Sequence, residues 1–196
     1  MEVGEYLIVF AAILVGLALA DLSLSLHRLM RQGRVIKWHP IVPLTGFMVL
    51  CLILNFWWGL YRNFAGVDEI RLLEFLPTVF TVLVLFLLAA TVFPDEKLPK
   101  GASLKEYYLG NRFHFWGLLA TYLALAMLTN AIKGVRVELG WEEQLINAAL
   151  NGVWLALCLV LMFTKRMLVH WCIVLLSLAV ILLAWYDQRI VSLLSG

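Results

Sequence analysis

Residues 72–93 read LLEFLPTVFTVLVLFLLAATVF, with Glu74 as the single charged side chain. A bilayer core about 30 Å thick is crossed by roughly 20 apolar residues in helical form. This run is long enough and apolar enough to cross. Its apolar residues are continuous rather than alternating, which does not fit a barrel strand. In hydrocarbon only a helix or a closed barrel satisfies every backbone N–H and C=O, so the segment is predicted to be a transmembrane helix.

Five further runs pass the same test, at about 6–26, 41–61, 112–132, 145–164 and 167–186. The predicted fold is therefore all-α: a polytopic bundle of six transmembrane helices in a single domain covering 1–196. The breaks between spans carry suitable residues. Gly33, Pro40 and Pro43 flank the second span, Phe93-Pro94-Asp95 closes the third, and Gly134 and Gly140 bracket the fourth connection. Lys165-Arg166 leaves room only for a tight turn between the last two spans. Pro43 falls in a first helical turn, where proline is tolerated, whereas Pro77 is placed to kink the third span.

Composition agrees. Of the 196 residues 63% are hydrophobic and 14% charged, and the mean hydropathy is +0.93. A soluble domain has about 25% charged residues. A net charge of +2, with no basic tail, gives no ground for nucleic-acid binding. Cys51, Cys158 and Cys172 all lie within apolar runs and form no CxxC, so free buried thiols are expected. The stretch Leu7 to Leu19, followed by Ala20, has the look of a secretory leader. Its flank carries Glu2 and Glu5 and no Lys or Arg, so a retained first span is expected.

Lys and Arg in short loops orient such chains. The first, third and fifth connections hold ten of them, among them Arg28, Arg31, Lys105, Arg112, Lys165 and Arg166; the opposite side holds five. The expected topology is three out–in–out hairpins in a cytoplasmic membrane, with both termini non-cytoplasmic. Trp38, Trp116 and Trp171 near one face, and Trp57, Trp58, Trp141 and Trp185 near the other, are expected to be interfacial belts. Leu104 to Arg112 mixes apolar and charged residues as a short interfacial helix would.

Three groups of residues offer chemistry. His27, His39, His114 and His170 all fall at the basic ends of spans. Together they would hold a metal or haem, or sense pH; the plainer reading is that imidazole suits an interface. Asp21, Ser25 and Arg28 share one face of the first span, and Arg31 and Arg34 extend that face as a basic stripe. A carboxylate inside a span marks an ion site, a ligand counter-ion or a structural ion pair. The stripe is suited to anionic lipid headgroups. Toward the other face lies a polar shelf of Asn55, Glu74, Asn130, Asn147, Asn151 and Asp187. Asn147, Asn151, Trp154 and Cys158 recur at helical spacing and predict one stripe on the fifth span, lining a pocket or bonding to a neighbouring helix. The span centres are aliphatic and hold no Lys for a Schiff base, and the loops lack a Walker motif or GxSxG, which leaves little basis for an enzyme.

The stretches Gly16 to Asp21, Leu26-His27-Arg28-Leu29, Phe56 to Leu60, Phe93-Pro94-Asp95 and Tyr107 to Gly117 together resemble a group of short bacterial inner-membrane proteins with no assigned activity. The resemblance implies the same six-span plan and a bacterial source, and supplies no catalytic residues. Two functions fit the sequence. One is a small homo-oligomeric channel or transporter-like protein, with the Asn shelf and the Asp21/His layer as its mouths. The other is a lipid-, haem- or pigment-binding protein, or an accessory subunit of a larger membrane complex.

Overall fold

The computed structural model describes residues 3–64, 69–96, 98–136 and 141–186. Six helices account for nearly all of them: α1 (Val3–Gln32), α2 (Ile41–Phe64), α3 (Leu72–Val92), α4 (Leu104–Arg136), α5 (Trp141–Phe163) and α6 (Met167–Tyr186). Each is long and apolar enough to cross a membrane. The protein is an all-α polytopic membrane bundle.

Helices of this kind close their own backbone hydrogen bonds and leave side-chain packing to set the tertiary arrangement. On α1 the buried residues Ala11, Val15, Ala18, Leu22, Ser25 and Leu29 recur every three or four positions. That single stripe packs on α2 and α3, and the opposite face presents Tyr6, Phe10, Ile13 and Leu17 outward, as hydrocarbon permits. α2 and α3 form the centre. α1 and α4 flank them, α5 lies on α4, and α6 lies on α2.

Two helices outrun the hydrocarbon. α1 has 30 residues and α4 has 33; at 1.5 Å per residue these are about 45 and 50 Å long, against a core of about 30 Å. The expected helical extension of the first span through Arg28 and Arg31 is present, and it ends in a 3-10 turn at Gly33–Val35. The separate interfacial helix expected at Leu104–Arg112 is not: those residues are the first turns of α4, continuous with the span. No glycine or proline interrupts the junction except Gly110, which a helix tolerates at a cost of about 1 kcal/mol. α3 likewise continues through Pro77.

The first and third connections are laced together. Lys37 N donates to Ala102 O at 2.8 Å, Leu104 N to Lys37 O at 3.0 Å, and Gly101 N to Val35 O at 2.8 Å. Gly101 has φ +81°, a left-handed conformation open to glycine and strained for other residues. Leu98 N donates to Gln32 Oε1 at 3.1 Å. At the end of α3 the Phe93 ring lies directly on Gly46 of α2, where a Cβ would stand 2.5 Å from Phe93 Cζ. The two basic connections therefore form one tied layer at the same end of the bundle.

Candidate functional site

Although consecutive, α5 and α6 scarcely touch each other, because each rests on a different neighbour. The tight turn Thr164–Arg166 joins them at one end only. Between them, and backed by α2 and α4, lies a half-enclosed chamber of about 310 Å³. Small-molecule pockets run from about 300 to 1,000 Å³, so the space suits one ligand. It also exceeds what a single bound water, at about 30 Å³, would occupy.

The chamber has two chemically distinct ends. Asn55 of α2, Asn130 of α4 and Asn151 of α5 line one. Trp116 lines the other, fourteen residues from Asn130 along α4, a rise of about 21 Å. Between them the walls are apolar or weakly polar: Met48, Leu119, Tyr122, Cys158, Ile173 and Ser177. Ser177 Oγ is already satisfied by Ile173 O at 2.7 Å. Among the described residues no charged side chain lines the space. Asn side chains both donate and accept. Asn55 Oδ1 accepts from Trp185 Nε1 at 3.3 Å, which fixes which way that amide points.

Beyond Trp116 the floor is a buried polar cluster. His170 on α6 is fully buried. Its Nε2 is 3.0 Å from Thr164 O and its Nδ1 is 3.0 Å from the Tyr108 hydroxyl. A carbonyl only accepts, so Nε2 carries the proton; Nδ1 is then the acceptor, and Tyr108 donates to it. The α5–α6 turn thus fixes a proton on Nε2. Trp116, 1% exposed, leans on the His170 ring with centroids 6.1 Å apart. Its Nε1 is buried without a hydrogen-bond partner, although Trp116 and Thr45 both lie beside the Tyr108 hydroxyl.

Of the residues expected to form a ligand or ion pathway, Asn55, Asn130 and Asn151 are brought together, and Trp154 and Cys158 continue the α5 stripe down the chamber wall. The side chain of Asn147 and all of Asp187 lie outside the described residues. Glu74 sits in the first turn of α3, which contributes nothing to the chamber. Asp21, Ser25 and Arg28 are on α1, in the other half of the bundle. There Ser25 Oγ donates to Asp95 Oδ1 at 3.3 Å, Asp21 Oδ2 is buried with no hydrogen-bond partner, and Arg28 is exposed.

The four histidines share an end of the bundle and nothing more. His27 and His114 are exposed on α1 and α4. His39 precedes α2 and packs at a tilt against Trp171, centroids 6.2 Å apart. Burial, and secondarily the charge of Lys105, lowers its pKa below the usual imidazole value. Both nitrogens of His170 are occupied. Among the described residues no three His, Cys, Asp or Glu side chains gather where they could hold a metal ion. Trp116, expected in an interfacial belt, is instead interior.

Tyr108, Thr45 and Trp116 were not singled out as site residues by sequence. Tyr108, Arg112 and Trp116 are spaced i, i+4, i+8 on α4, a repeat that puts them on one face; that was the available signal. Geometry and composition thus define a small polytopic integral membrane protein with a ligand-sized chamber between its helices. No protein-family model, curated protein or solved structure matches the chain.

Proposed function

We propose that this protein binds a neutral, lipid-like amphiphile in the α2–α4–α5–α6 chamber. The head of the ligand meets Asn55, Asn130 and Asn151, and its chain runs toward Trp116. The observation that carries this reading is the pairing of an uncharged amide end with apolar walls in one space between two poorly packed consecutive helices. An uncharged wall disfavours a charged guest, since an unpaired ion taken from water loses its hydration without return. The gap between α5 and α6 gives a route of entry from the bilayer.

A pore through one protomer has weaker support. Its two supposed mouths, the Asp21 group and the Asn end, lie in different halves of the bundle.

The test is extraction of the purified protein with organic solvent, followed by mass spectrometry of the extract. It is done alongside Ala126→Trp and Ser177→Leu, which place bulk in the chamber without adding charge. The wild type is expected to carry about one equivalent of a neutral amphiphile and both variants to lose it. Equal loading of wild type and filled variants would refute the assignment.

A further inference from the structure

Outside the chamber, the basic end of the bundle carries a guanidinium in an unusual setting. Arg112 is partly buried on α4, on the face that also bears Lys105 and Tyr108. Its Nη1 donates to Leu109 O at 2.6 Å. Its Nε–H is buried with no partner. Among the described residues no carboxylate pairs with it. A partly desolvated cation normally has an anion beside it, because leaving it unpaired is costly.

The groups around it are positive as well. Phe113 and Phe163 pack edge to face with centroids 6.1 Å apart, so the turn that carries Lys165 and Arg166 sits beside this turn of α4. His170, which faces Arg112, has both ring nitrogens engaged within the fold and offers no carboxylate. On the other side Lys105 approaches His39, itself packed at a tilt against Trp171 at the start of α6. The one acidic group in the first turn of α4, Glu106, is exposed. Six helix steps separate it from Arg112, which turns it toward a different face.

We infer that Arg112, with Lys105 two turns before it on α4 and the exposed turn of Lys165 and Arg166 beside the neighbouring Phe113, is a binding site for a phosphate-bearing anion. Arginine presents a planar fork that matches two phosphate oxygens, with lysines contributing as point charges. The same chemistry is offered by an anionic lipid headgroup and by free phosphate. The site is separate from the chamber and stands whether or not the chamber takes an amphiphile.

The experiment titrates the full chain, in a neutral detergent, with inorganic phosphate in one arm and short-chain phosphatidic acid in the other, followed by calorimetry. Arg112→Gln is expected to weaken binding by about ten- to a hundredfold, as loss of a charged hydrogen bond implies. Arg112→Lys should retain part of the affinity. The double variant Lys165→Gln/Arg166→Gln, whose side chains are exposed, should weaken binding by about tenfold or less. Arg62→Gln, exposed in the last turn of α2 at the opposite end of the bundle, should leave it unchanged. Binding of phosphatidic acid alone assigns the site to headgroups; competition by inorganic phosphate assigns it to the free ion. Failure of both probes to bind, or equal binding by wild type and the Lys165→Gln/Arg166→Gln and Arg112→Gln variants, overturns the inference.

Discussion

Tyr108→Phe isolates the floor of the chamber. The substitution keeps the ring, its buried position and its edge contact with His170, whose centroid lies 5.3 Å away. It deletes only the O–H that donates to His170 Nδ1 at 3.0 Å. His170 cannot escape by switching tautomer, because Nε2 would then turn a lone pair toward Thr164 O at 3.0 Å. Nδ1 is left as a buried acceptor without a donor, at a cost of about 1–3 kcal/mol. His170→Phe alone strands the Tyr108 hydroxyl and the Thr164 carbonyl and should cost a similar amount. Tyr108→Phe with His170→Phe removes both ends of the Tyr–His bond. The double variant should then be less destabilised than the two singles added together, by about 0.5–3 kcal/mol. Reversible unfolding in mixed micelles with increasing denaturing detergent measures all four proteins. Nitrogen NMR of the wild type should report a proton on Nε2 and none on Nδ1. Strict additivity, or a proton found on Nδ1, would falsify the reasoning about this cluster.

Gly46→Ala puts a methyl group 2.5 Å from the Phe93 ring, an overlap expected to cost about 1–3 kcal/mol by displacing a buried ring. Phe93→Leu in the same chain should recover part of that loss, measured by thermal unfolding in detergent. His39 should titrate below about 6.5, because burial and then Lys105 disfavour its charged form. The unfolded chain thus binds the extra proton first, so stability should fall on acidification through that window. Lys105→Gln should move the NMR midpoint upward without restoring it fully, burial being the larger cause.

The spans were legible because hydrocarbon imposes a length and composition rule on single segments, and 72–93 or 167–186 satisfy it without reference to any other part of the chain. The ends were less legible. Leu104–Arg112 carries Lys105, Glu106 and Arg112, which reads as a boundary, yet nothing in its backbone chemistry stops a helix and α4 runs through it. The α5 stripe was visible for the same local reason, since Asn151, Trp154 and Cys158 share a helix face. What it faces was not visible. Partnership between α5 and α4, or α6 and α2, depends on side-chain fit among non-adjacent segments. Trp116 shows the limit: a tryptophan one turn inside a span end is ordinarily an anchor, and only packing against His170 makes it interior.

The chamber itself has a simple physical origin. A turn of three residues, Thr164–Arg166, should hold α5 and α6 side by side along their length. Instead His170 ties the turn to α4 through Tyr108, and Trp116 fills the space beside it. From that pinned end the two helices diverge onto separate supports, α4 and α2. In water an apolar gap would close under the hydrophobic effect. In a bilayer there is no such drive between helices, so a gap costs only the contacts its walls forgo. Those contacts are regained when a chain of methylenes enters. The lipid-like guest proposed above is the kind of occupant that such a solvent supplies, and on that proposal the Asn end meets its head.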